Sequence, residues 1–203
     1  MKKTWIVVGL MGVLVLVIAF WWLDFRLARS ATQSDLQLSA YRSGKELPPE
    51  VAPGAPLDYA VVDSGMLAQA LRDELSQQLQ ADPAFSNVTA VTPTEQSANP
   101  FAFIEVEPIQ VTWTPFYATA RASVTVIYAS DGDISWRHDP VVQFNSSEGP
   151  IVRTRGTFLF ESRAWGLFSY EGYHTLLAEQ MGQEIDQLLR DLLLQPERFG
   201  WTE

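Results

Sequence analysis

The sequence contains no cysteine. Disulfide staples, thiolate metal sites, thiol nucleophiles and lipid attachment at an N-terminal cysteine are therefore excluded together. Lysine is nearly as scarce: after Lys2 and Lys3, only Lys45 occurs. Histidine is limited to His138 and His174, which offer no metal-ligand spacing. The local signatures GxSxG, SxxK and HExxH are missing. Asp131-Gly132-Asp133 lacks the later Glu of a calcium loop and reads as a hairpin turn. Nothing in the sequence calls for a cofactor or a metal, and no catalytic residue is expected.

Positive charge is also in short supply. The chain carries a formal charge of −10. Its first 29 residues hold four basic groups and one acidic group, so the remaining residues carry 10 basic against 23 acidic groups. Such a surface repels nucleic-acid phosphates, so nucleic acid is not an expected partner.

One long apolar run stands at the N-terminus. Thr4 to Leu23 contains 20 residues without a charge. As a helix it spans about 30 Å, the thickness of a bilayer's hydrocarbon core. Trp5, Trp21 and Trp22 flank the run where indole rings favour the headgroup level. The run is longer than a signal-peptide core, and Arg26 and Arg29 spoil the cleavage sites after Ala28 and Ala31. The expectation is a retained single-pass transmembrane anchor in a cell membrane, with the N-terminus inside and the domain outside. Flanking basic charges are balanced, so this orientation rests on the three-residue N-terminal flank. The bilayer is then one partner.

Three segments follow from this reading: a cytoplasmic tip and anchor at 1–29, a proline-rich stalk at 30–57, and an extracytoplasmic domain at 58–203. Pro48, Pro49, Pro53 and Pro56 favour extended backbone in the stalk. In the domain, Leu67, Leu71, Leu75 and Leu79 recur every four residues and predict a helix over 64–81. Tyr173, Leu177, Met181, Ile185, Leu188, Leu189 and Leu192 predict a second over 170–194. Strands are expected over 101–113, with Pro108 implying a bulge or an edge position, and over 118–129, 134–145 and 151–162, with another near 57–62. The 118–129 strand has the clearest alternation. Ala118, Ala120, Ala122, Val124, Val126 and Tyr128 lie on one face, and Thr119, Arg121, Ser123 and Thr125 on the other. The predicted fold is α+β: the transmembrane helix plus an antiparallel sheet of about four or five strands, with two helices packed on one face.

Two aromatic clusters are the candidate partner-binding residues: Trp113, Phe116 and Tyr117 at one strand turn, and Trp165, Phe168 and Tyr170 before the last helix. Arg121, Arg153 and Arg155 fall on predicted outward faces. Cross-strand pairing with Glu105 and Glu107 accounts for them without an active site; a polar sheet face that receives a partner is the alternative.

The order of LAQALRDELSQQL, then ATARASVTVIYAS, then LLAEQMGQEIDQLLRDLL resembles the periplasmic auxiliary lipoproteins of envelope transport systems. These include the auxiliary component of ABC-type transporters and the lipopolysaccharide-assembly lipoprotein. The resemblance covers roughly residues 60 to 195 in element order, and the chain departs from the family in lacking a lipid-acceptor cysteine. It implies a small non-enzymatic α+β domain that scaffolds a larger membrane assembly by binding protein partners. A lipid or small-molecule binding domain is the second reading, and a hydrolase of unrecognised type the third.

Overall fold

The computed structural model describes residues 9–18, 26–42, 54–62, 65–107, 110–138, 151–195 and 201–202. Residues 9–18 are helical (α1). Ten residues rise about 15 Å, half of a hydrocarbon core. Among the described residues no helix is long and apolar enough to cross a membrane. The expected transmembrane anchor, with its signal-anchor and single-pass character and the inside–outside placement built on it, is corrected by this finding. Trp5, Trp21 and Trp22 lie outside the described residues.

The fold is α+β as expected, but the sheet is larger and of another type. Eight strands form it: β1 (Arg26–Arg42), β2 (Ala55–Val62), β3 (Phe85–Ala90), β4 (Phe101–Val106), β5 (Gln110–Thr114), β6 (Tyr117–Ala129), β7 (Val152–Phe168) and β8 (Trp201–Thr202). Their order is β3-β2-β4-β6-β7-β1-β8, with β5 also beside β6. The sheet is mixed. β2 runs parallel to both β3 and β4, and β8 parallel to β1, whereas β4, β5 and β7 pair antiparallel with β6. Helix α2 (Met66–Ala81) makes the β2–β3 crossover that parallel strands require, and α3 (Tyr170–Leu194) follows β7.

β1 is the largest correction. Residues 26–42 were expected to divide between anchor and stalk. They form a 17-residue strand that pairs with β7 without a break, from Arg26↔Phe168 to Arg42↔Val152. Residues 43–53 of the expected stalk lie outside the described residues. The expected strand over 134–145 is corrected in its first part. Ser135–His138 is a 3-10 helix, and 139–150 lie outside the described residues. Asp131-Gly132-Asp133 is a turn but closes no tight hairpin, because β7 begins only at Val152. Between Val106↔Val124 and Gln110↔Arg121 the register moves by one residue; Pro108 lies outside the described residues.

Both helices pack on one face of the sheet. Leu67, Leu71, Leu75 and Leu79 of α2 meet Tyr173, Leu177, Met181, Ile185 and Leu189 of α3 over the even-numbered residues of β6 and β7. Ser169 caps α3, its hydroxyl accepting the Gly172 N–H at 2.8 Å. The helices approach closely at Gly182, where an added Cβ would sit 2.8 Å from Gln78 Oε1.

Among the described residues, the opposite face is covered at one end. Ile134 and Trp136 fold over Phe101, Phe103, Ile127 and Ala129 as a second apolar cluster. Arg153, itself buried, fastens this cover through Asp131 at 2.8 Å and Asp133 at 3.0 Å. Arg155 stacks 5.5 Å from the Trp136 ring and donates to the Arg137 carbonyl, and Arg137 lies 4.8 Å over Phe103. Among the described residues nothing covers the rest of that face.

Candidate partner-binding face

Cross-strand register sorts the aromatic candidates. Residues directly opposite each other in a sheet share a face. Trp113 stands opposite Ala118, which belongs to the helix-side core, so Trp113 turns under the helices. There its ring meets Tyr170 edge-on at 5.7 Å. Phe168 is 1% exposed and packs on Tyr173 at 5.7 Å. Trp113, Phe168 and Tyr170 are therefore packing residues.

Tyr117 and Trp165 lie on the other side. Phe116 is 68% exposed at the β5–β6 turn, and Tyr117 and Trp165 are also exposed. Tyr117 stands opposite Trp165, with ring centroids 6.0 Å apart. The next strand sets Arg29 opposite Trp165, and Leu27 opposite Leu167. Leu27 is 74% exposed, and Leu159 is exposed farther along β7. Among the described residues, Leu27, Tyr117 and Trp165 thus share the uncovered end of the outer face, with exposed Phe116 in the adjoining turn. Sequence reasoning missed Leu27 because the segment around it was read as anchor. A sequence signal for Leu159 existed in its odd-numbered place among outward residues of 151–162.

The three arginines separate. Arg121 pairs with Glu161 directly opposite it at 3.0 Å, both exposed. Arg153 and Arg155 serve the covered end. The expected pairing with Glu105 and Glu107 is not made by these arginines. Beside the aromatic patch lies a shallow polar cleft of about 290 Å³, lined by Thr112, Thr119, Arg121, Glu161 and Arg163.

The histidines are placed apart. His174 is buried in the first turns of α3, where Nδ1 lies 3.0 Å from the Tyr170 carbonyl and the ring packs 4.5 Å from that of Tyr170. Burial lowers its pKa, against the opposing pull of the Tyr170 carbonyl and the Glu171 charge. It borders a cleft of about 290 Å³ between α2 and α3, with Met66, Asp73, Glu74 and Glu171. His138 is exposed and accepts from Arg137 Nε at 2.8 Å. Among the described residues no group of three His, Asp or Glu side chains is arranged to hold a metal ion.

No protein-family model matches the chain, and no curated protein matches it. Among solved structures it is similar to the PelC dodecamer from Paraburkholderia phytofirmans: 13% identity, 73% of this chain and 94% of that chain covered, TM-score 0.37. A dodecamer of a single-residue variant of the same protein matches at 12% identity, with 73% and 93% covered and TM-score 0.36. Likeness at this level carries no argument about what this chain does.

Proposed function

We propose that this chain is a non-enzymatic accessory domain that binds a protein partner through the open end of its outer sheet face. The observation that supports it is the patch of Leu27, Phe116, Tyr117 and Trp165, apolar side chains left in solvent beside a fully packed helix-side core. Large aromatic residues exposed side by side are unfavourable in water and are enriched where partners dock. The arginine–glutamate cleft next to it provides the polar rim such a surface uses. The reading of a lipid or small-molecule pocket between helices and sheet receives less support. Leu71, Leu75, Leu79, Tyr173 and Ile185 fill that space with about 1% exposure or less. A scaffolding role of the kind the auxiliary transport lipoproteins perform is consistent with this face.

The test is co-purification from the native source with the wild-type chain and with Phe116→Ser/Trp165→Ser. The expected result is one defined partner retained by the wild type and lost by the variant, with the variant still folded. Identical protein profiles from both chains contradict the proposal.

A further inference from the structure

β1 offers a second surface, at the edge of the sheet. β7 occupies one edge of β1 from end to end. On the other edge, among the described residues, β8 pairs only at Ala40 and Tyr41. From Leu27 to Ser39 that edge meets no described strand. Edges of this length are ordinarily guarded by lysine, proline or a bulge, because their open N–H and C=O groups template pairing with another chain. β1 has no lysine, proline or glycine, and its register with β7 is unbroken. Between Leu27 and Ser39 its only charges are Arg29 and Asp35.

We infer that β1 pairs antiparallel with β1 of a second copy of this chain, about a two-fold axis at Thr32. A two-fold interface needs a surface complementary to itself. Arg29 and Asp35 are both exposed, lie on the same face, and stand three residues to either side of Thr32. In this register each Arg29 faces Asp35 of the second copy, so both charges are matched twice. Ala28 faces Leu36 and Ser30 faces Ser34 on the helix side. The paired span ends at Leu38, before β8 joins at Ala40. Sliding the strands by two residues loses both Arg–Asp matches, and sliding by one sets the helix layers on opposite faces. The backbone ladder supplies the affinity, and the charges choose the register, since exposed ion pairs contribute little on their own. The ladder forms at the sheet edge; Arg29 also stands opposite Trp165, so the Thr32→Cys cross-link, on the helix side, separates this inference from the partner reading.

The missing cysteines make the test clean. In the full-length chain, Thr32→Cys places two thiols opposite each other across the axis. Ala31→Cys faces Gln33 instead and leaves its own thiols on a diagonal of about 7–8 Å. Mild oxidation should link Thr32→Cys into a covalent dimer far faster than Ala31→Cys. Light scattering should show a dimer for the wild type. Arg29→Asp or Asp35→Arg should weaken it about tenfold by setting like charges opposite, and the double reversal should restore it. A monomer at every concentration, equal cross-linking at 31 and 32, or no effect of the single reversals overturns the inference.

Discussion

Tyr117 and Trp165 face each other across β6 and β7, ring centroids 6.0 Å apart, on the side of the sheet away from the helices. Three residues along β7 from Trp165, Phe168 points the other way and is 1% exposed. The two positions should respond differently to truncation. Trp165→Ser should cost about 1 kcal/mol or less, the worth of an exposed cross-strand pair. Phe168→Ala should cost about 3–5 kcal/mol, because it removes a buried ring and leaves a cavity. Urea unfolding of both variants checks the contrast.

Arg153 holds the cover of the second apolar cluster. It is 7% exposed and reaches two carboxylates that are themselves about a quarter exposed. Burial works against charge on Asp133, yet the Ser135 N–H and the Arg153 guanidinium hold its pKa below the usual carboxylate value. Arg153→Met should cost about 2–3 kcal/mol, less than a fully buried pair because water screens the stranded acids. Asp131→Asn should cost less than that, since Asp133 still pairs. Protease clipping within 131–138 should quicken in Arg153→Met and not in Asp131→Asn.

Gly166 sits at φ +137°, and an added Cβ would lie 2.3 Å from the Leu27 carbonyl oxygen of β1. Both the dihedral and the close approach demand glycine. Gly166→Ala should destabilise by more than about 1 kcal/mol. Hydrogen exchange should show the loss first at the Leu27–Arg29 end of β1, where the strands meet Gly166.

The parts of this fold that bury an apolar stripe were legible in the sequence. The leucines of α2, the long stripe of α3 and the alternation of β6 each announce one buried face. β1 gave no such sign, for a physical reason. From Leu27 to Ser39 its odd-numbered residues face solvent, and its helix-side face is polar at Ser30, Thr32 and Ser34, so the apolar positions Ala28, Leu36, Leu38 and Ala40 are interrupted. Ser30 and Thr32 bond to Gln180 of α3 in place of burying apolar area. β3 is an exposed edge strand with the same lack of pattern. The parallel pairing of β2 depends on contacts distant in sequence, which periodicity does not report. Ser135–His138 carries Trp136 into the second cluster on a 3-10 turn, and a short apolar run does not distinguish that from a strand. At the candidate face, the aromatic clusters were visible as composition. Only register decides that Tyr117 and Trp165 are outside while Trp113 and Phe168 are within.

His174 gives the stability a pH dependence. Burial lowers its pKa below the ordinary 6.5. The folded state therefore binds fewer protons than the unfolded chain. The stability this contributes is present above 6.5 and is lost as pH falls through the depressed value. Asp133 adds a loss of the same sign only below 3.8. Stability should fall as pH drops below about 6.5 in the wild type, and the slope should be shallower in His174→Gln. Equal slopes in chemical unfolding across that range would assign the dependence to other groups.

The central claim is that the open outer face, and not the helix layer, meets a protein partner. Site-specific photo-cross-linking in the native cell tests it most directly. A photoreactive residue is placed at Phe116 in one chain and at the exposed Glu184 of α3 in another. The account predicts a discrete cross-linked species of defined mass from position 116 and none from position 184. The same adducts from both positions, or a discrete species from 184 alone, would contradict it.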